Sequence, residues 1–583
     1  MMIFRLVLIL LLLPSIAWAS DCTVAGGSDC TKEGTTYTCT TAFIQCIQAA
    51  VTDATAGDTI NVTDTTARTW GTNLSITKGI TLTGPGLASL TITKGSASGY
   101  MISYDPANPA LNSLFKIQGF KFDGDQKGSW LVLEDVGNTN IQTNIVIINN
   151  HIHNFSGQAI LAGKHRGVIA KNIFTGTNYP LRFTSGVDAW GVLAGLTYGN
   201  ADTMWIEDNT MTVAGAFIDC DSANRYSFRY NTVTDTATSQ PMMDQHGDAP
   251  SGGNCAYQSC FGAEVYGNDF TVVAGQTDFR GSKYLVFYNG ITSTTGTWNG
   301  WGLRDEYCDC ANACAGESTD SIPQYINNSY SFNSRMNLSG SLKNFYSRGF
   351  ADCQASCGYI VNEDDEYFNH KISFNGTSGV GCGTATAMNL ITPTLTGAGF
   401  WVPNAAIDPD AASCNNLAGY VGANNAIAAG VNGNTGTLYR WDGDSWEAFY
   451  TPYAYPHPLR EGADTTPPSV TIATDNPSAI TSDSLSVTGT ASDAVGVGSC
   501  KFRIGSAPDG SNGTVCTGTT TWVCAASGFA SGANTLYVGC GDAAGNWGSD
   551  SITVNYTAGS AEIGISVGSG AGLKHTGTAI KVQ

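Results

Sequence analysis

Charge is what this chain has least of. Asp, Glu, Lys and Arg make up 13% of its 583 residues, about half the usual share. The charge present leans acidic, with 47 acids against 27 bases and a formal net charge of −20. A surface so poor in cations argues against nucleic acid or anionic membrane as a partner. Long apolar runs are missing after the first twenty residues, so no membrane span is expected in the mature chain. Paired CxxC…CxxC spacing is absent from the 18 cysteines, which removes the familiar structural zinc arrangement.

The N-terminal exception, MMIFRLVLILLLLPSIAWAS, has one positive charge, an apolar stretch and a small-x-small ending. It reads as a secretory signal over residues 1–19. The cysteines then read as disulfides of an oxidising compartment, the tight groups Cys255/Cys260, Cys308/Cys310/Cys314 and Cys353/Cys357 included. Gly counts 70, and Thr, Ser and Asn fill the place of charge. That is the composition of an extended β protein with polar, uncharged surfaces.

One phrase recurs: a large apolar residue, two others, Asn, one other, and an apolar residue. It appears as Ile147/Asn150/Ile152, Ile169/Asn172/Phe174, Ile206/Asn209/Met211, Phe228/Asn231/Val233, Val265/Asn268/Phe270, Val286/Asn289/Ile291 and Tyr325/Asn328/Tyr330, at Asn intervals of 22, 37, 22, 37, 21 and 39. A period in the low twenties marks a solenoid. Short strands without intervening helices then stack as coils of a parallel β-helix, each adding about 4.8 Å along the axis. The Asn falls at the bend between two sheets, where its amide serves the backbone and the Asn of the next coil. KISFNGTSG, ending near residue 376, reads as a looser copy.

The chain divides as follows. Residues 20–56 form a Cys-rich start whose helix, with Phe43, Ile44, Ile47, Ala50 and Val51 on one face, covers the open sheet edge. The β-helix fills 57–460. A Pro-containing linker occupies 461–468, and 469–557 reads as an immunoglobulin-like β-sandwich with alternating strands. Cys500, Cys516, Cys524 and Cys540 allow three pairings. Residues 558–583 are a Gly/Ser-rich tail. The fold class is all-β throughout.

The longer Asn intervals fit one coil plus an insertion, placing loops at 178–203, 238–262 and 295–322 on one side of the solenoid. They carry Asp188, Trp190, Asp244, His246, Asp248, Trp298, Trp301, Arg304, Asp305 and Glu306, a set suited to sugar rings. Counted from each Asn, Arg182, Asp219 and Asp278 lie ten residues on, and Asp221 and Arg280 twelve. Period two puts Asp219 and Asp221 on one face and Cys220 on the other.

Such carboxylates with arginines a coil or two away have the parts to neutralise a uronate, hold Ca²⁺ and abstract a proton, as a lyase requires. They equally have the acid and base of a glycoside hydrolase. The expected catalytic set is Asp219, Asp221 and Arg280 with His246 as auxiliary, and calcium is considered at Asp219 and Asp221. Glycan contact falls to Trp190, Trp298, Trp301, Arg182, Arg304 and Asp305. Two other readings stand beside this one. The same charges serve as ion pairs that stabilise a tall polar sheet, or the chain is a non-catalytic adhesin or structural envelope protein.

From GDTINV through ITLTGPG, IQGFKFDG and the IEDNT/FRYNT pair, the chain resembles the pectate-lyase-like right-handed parallel β-helix superfamily. More narrowly, it resembles secreted bacterial β-helix proteins that close in YTPYxYPHPL, here Tyr450 to Leu459. The resemblance covers about residues 40–460 and implies the fold rather than a reaction. Residues 464–557, with DTTPP and GDAAGN, resemble bacterial immunoglobulin-like modules. Asp219/Asp221, His246-Gly247 and Arg280/Lys283 also follow the chain order of polygalacturonases. The Asn-Thr-Asp of that family is missing, and Cys220 interrupts the Asp pair. An extracellular polysaccharide is the partner all of this implies.

Overall fold

The structure, a computed structural model, describes residues 29–96, 99–106, 113–133, 142–163, 165–184, 198–221, 224–236, 242–245, 259–273, 277–295, 298, 300–304, 326–337, 340–347, 361–403, 436–461, 467–493, 497–509, 512–542 and 546–558. Two compact units divide between Ala463 and Asp464.

In the first unit, strands of two to seven residues build three long sheets. Thirteen strands form sheet I, from Cys30–Glu33 to Tyr367–Asn369, and sheets II and III have ten each. The chain visits them in rotation. One coil runs through Met204–Glu207 in sheet I, Thr210–Val213 in sheet II and Ile218–Cys220 in sheet III. The next begins at Arg225–Arg229, parallel to and in register with the first. Alternate side chains point inward, so Ile147, Ile169, Ile206, Phe228, Val265 and Val286 stack one above another in a continuous buried core.

The asparagines hold the bend between sheets I and II. The backbone N–H of Asn172 donates to Asn209 Oδ1 at 2.9 Å, Asn209 to Asn231, Asn231 to Asn268, and Asn268 to Asn289. Each Nδ2 returns to backbone carbonyls of the bend, as Asn209 does to Ile169 and Glu207. The residue before each rung has φ between 49° and 66°: Asn149, Lys171, Asp208, Tyr230, Gly267, Tyr288 and Asn333. Six of these seven are not glycine, and each pays about 1–2 kcal/mol for a left-handed conformation that the ladder holds in place.

The ladder ends on Ser334, whose Oγ accepts from Asn289 N at 3.3 Å. This corrects the seventh copy. Asn328 precedes the strand Ser329–Phe332, and register pairs Leu285 with Tyr330 and Ile291 with Met336. A serine at the core position and another at the rung hid this coil. KISFNGTSG is not a coil either, since Ile372 is 72% exposed. Beyond Asn369 the strands Val380–Cys382, Gly399–Pro403, Gly436–Trp441 and Trp446–Tyr450 form a separate sheet.

At the N-terminal end the helix is Ile44–Asp53, burying Ile44, Cys46, Ile47, Ala50 and Val51. Phe43 sits in extended conformation at its N-cap, 42% exposed under the Arg68 guanidinium, rather than on the buried face. The Gln48 amide both accepts from Ser75 N and donates to Ser75 O, taking a strand's place beside Leu74–Ile76, the end strand of sheet III. Lys78 Nζ reaches the Thr52 and Ala54 carbonyls.

The closing motif packs onto the outer face of sheet I. Arg229, fully buried, donates to Glu207 Oε2 and Tyr266 Oη and to the carbonyls of Tyr453 and Ala454, and lies 4.1 Å from the Trp205 ring centroid. Arg460 pairs with Glu207 and Asp208, Tyr455 Oη donates to Asp208, and His457 N donates to Glu207 Oε1. Burial pushes the Glu207 carboxyl up, but Arg229 and Arg460 outweigh it and hold it below its ordinary value.

The second unit places a four-stranded and a five-stranded sheet around one apolar cluster containing Trp522, Leu536 and Val538. Its cysteines pair as Cys500–Cys540 and Cys516–Cys524. Among the described residues no cysteine is free, and no helix is long and apolar enough to cross a membrane.

Two outcomes follow. Asn209→Ala deprives Asn172 N of its acceptor and removes the Asn209 Nδ2 bonds to the Ile169 and Glu207 carbonyls, and should cost about 1–3 kcal/mol, measured by urea unfolding; an unchanged midpoint would contradict the ladder's role. Burial holds the His457 imidazole down to about 3 from 6.5, and the neutral Nδ1 accepts from Leu459 N. The unfolded chain therefore takes up a proton that the folded chain refuses, and stability is lost as pH falls through that window. His370, held at about 4 by burial, adds to the slope. His457→Gln should flatten the dependence of the urea midpoint on pH between about 7 and 4; a slope identical to wild type would exclude this origin.

Candidate functional site: the carboxylate and guanidinium ladder of sheet III

The three longer Asn intervals each leave from the same corner of the solenoid. Sheet III strands Tyr179–Phe183, Met243–Gln245 and Trp301–Arg304 are followed by long connections before the sheet I strands Met204–Glu207, Gly262–Tyr266 and Ser329–Phe332. These are alternate strands of sheet III, about 10 Å apart along the axis. The expected loop spans were too wide, since each contains one of these three strands. Most of each connection, with Asp188, Trp190, His246, Asp248, Asp305 and Glu306, lies outside the described residues.

Sheet III presents the charges in two outward columns. Register aligns Arg182 with Asp219, Asp219 with Asp244, and Asp244 with Asp278. Two residues on along the strands, Arg280 aligns with Arg304, and Asp221 shares the face of Asp219. Parallel stacking would set like charges directly over one another, and the longer arginines reach between coils to break this up. Arg182 spans Asp219 and Asp221, each at 3.5 Å. Arg280 meets Asp244 at 2.7 Å and Asp278 at 3.5 Å. Arg304 grips Asp278 with two hydrogen bonds, 2.9 and 2.6 Å, the strong bidentate form. Asp219, Asp221 and Asp278 are buried, while the arginines and Asp244 remain partly open to solvent.

Cys220, between the two aspartates, faces inward and is disulfide-bonded to Cys260, close to where the second insertion returns to sheet I. Asp221 also bridges Ser259. The aspartate pair is thereby anchored to that insertion.

The structure thus brings Asp219 and Asp221 together with Arg182, and Arg280 together with Asp244, Asp278 and Arg304. Arg280 does not join the aspartate pair, so the expected three-residue catalytic set is split over two clusters. Lys283 begins a sheet I strand whereas Arg280 ends a sheet III strand, which parts the Arg280/Lys283 pair of the polygalacturonase comparison. Trp298 and Trp301 are buried, Trp301 fully, with Trp301 packed against Phe270 and Phe279. Both are core residues and offer no ring face to a sugar. Calcium does not fit the donor set: the Asp219 and Asp221 carboxylates flank a guanidinium, and among the described residues no three acidic, His or Cys side chains converge on a point.

Counting from the asparagines missed Asp244 as a ladder member, because it lies 13 residues after Asn231 rather than ten. The turn from sheet II to sheet III is three residues longer there, and only register reveals the alignment. No family model, curated protein or solved structure matches the chain.

Trp301→Ala is expected to cost about 3–5 kcal/mol as a core cavity, read from thermal or urea unfolding. A melting temperature equal to wild type would place the ring at the surface after all.

Proposed function

We propose that this protein is an extracellular polysaccharide-engaging solenoid that holds a glycan chain along the outer face of sheet III. The observation that carries the reading is the double column of paired carboxylates and guanidiniums, in step with the coil repeat and beside the corner from which the insertions leave. Planar carboxylate and guanidinium groups are among the groups that address sugar hydroxyls. One coil, about 4.8 Å, is close to the length of one sugar ring in an extended chain. The finer fold reading supports the same conclusion: a right-handed β-helix like that of the pectate-lyase-like superfamily, capped by the helix Ile44–Asp53, followed by an immunoglobulin-like spacer and preceded by a secretory leader. Disulfides in both units suit an extracellular location.

Binding is favoured over cleavage because Asp219 and Asp221 pair with Arg182 while Arg280 pairs with Asp244 and Asp278, so the expected catalytic residues belong to two ion-pair clusters rather than one. Affinity electrophoresis of the full chain through gels loaded with individual polysaccharides tests this. Wild type should be retarded on at least one gel, and Arg304→Gln should lose the retardation while its circular dichroism spectrum stays native. Assays for reducing ends and unsaturated uronates should show no turnover. Absence of retardation across neutral and acidic gels alike would defeat the reading, and turnover would convert it to an enzyme.

A further inference from the structure

Resting on the reading of sheet III as a glycan surface, we infer that its ligand is an uncharged hexose polymer rather than the polyanion expected from the sequence. The argument is one of charge complementarity. Among the described residues, the ladder sets Asp219, Asp221, Asp244 and Asp278 against Arg182, Arg280 and Arg304, so carboxylates exceed guanidiniums by one (4 − 3). Every one of these arginines already contacts at least one carboxylate. A uronate would have to displace an aspartate held at close range, within a chain of net charge −20. Recognition of a polyanion uses cations that are available to it, and here they are neutralised in place.

Toward the N-terminus the first column continues without charge, through half-buried Leu161, buried Val132 and Ser103, and Ser75 beside Gln48, so it offers a polyanion no further cation.

The test uses the full chain on gels of linear β-glucan, galactomannan, polygalacturonate and alginate at low and high salt. Wild type should be retarded on a neutral gel, with a change of less than about twofold between the two salt conditions because no counterions are released, and should pass polygalacturonate and alginate freely. Asp278→Asn, close in shape, should weaken the neutral retention.

The double variant Asp219→Asn/Asp244→Asn leaves three arginines against two aspartates and should gain salt-sensitive retardation on polygalacturonate. Retardation of wild type on polygalacturonate or alginate, abolished by salt and by Arg280→Gln, would overturn the inference and leave the glycan-surface reading standing. Neutral retention that ignores Asp278→Asn would also overturn it, by placing the sugar elsewhere. Free passage through all four gels would remove both.

Discussion

The bend between sheets I and II is the constraint on which the rest of the molecule depends. A three-sided coil must turn sharply there, and from Asn149 to Asn333 it does so with a left-handed residue at every step, usually not glycine. Such a residue persists only where its surroundings over-determine it. The stacked amides supply that. Asn172, Asn209, Asn231, Asn268 and Asn289 each tie one coil's backbone to the next, and their fixed spacing imposes one register on all three sheets. Once the register is set, the inward positions align into a core and the outward positions into columns. The sheet III ladder is a consequence of the asparagines some ten residues earlier in each coil.

The same phrases write the closure of the molecule. Glu207 and Asp208 in IEDNT, and Arg229 in FRYNT, stand immediately before the rungs, on the outward side of sheet I. They receive Tyr455 and His457 from the closing motif and Arg460 from just beyond it. A buried ion network of this kind is weak evidence of net stability, but losing one partner strands a buried charge, at a cost of about 3–5 kcal/mol. The network therefore selects one placement of the last segment among the many that an apolar sheet face would accept.

How much of this was legible in the chain follows from which signals are local. The solenoid, its strand faces and the alternation of long and short coils could be read from Asn spacing, because a rung must recur once per turn. Asn328 was mistaken for a rung because the true one, Ser334, belongs to a coil whose apolar residue is replaced by Ser331. Trp301 read as a loop residue because the strand carrying it is bounded by an insertion, and pattern alone does not say where a loop ends. The alignment of Asp244 with Asp219 depends on the length of an intervening turn, which no residue near either aspartate reports.

Sheet II shows what sheet III would look like if stability alone shaped it. Over five coils one of its outer columns runs Thr175, Thr212, Thr234, Thr271, Thr292 in unbroken register: β-branched, polar and uncharged, at no electrostatic cost, although Asp123, His153 and Asp269 stand elsewhere on the same sheet. On sheet III, Asp219, Asp244 and Asp278 stack instead. Carboxylates one coil apart, about 4.8 Å, repel by up to about 3 kcal/mol at a surface-like dielectric of about 20. Arginines reaching across from neighbouring coils offset that repulsion, each partly open to solvent beside carboxylates that are mostly buried. A chain this sparing with charge places seven ionised groups on five consecutive strands of one sheet, where threonine would hold the fold as well. Under the proposed function, that electrostatic cost is accounted for by what the ladder presents outward.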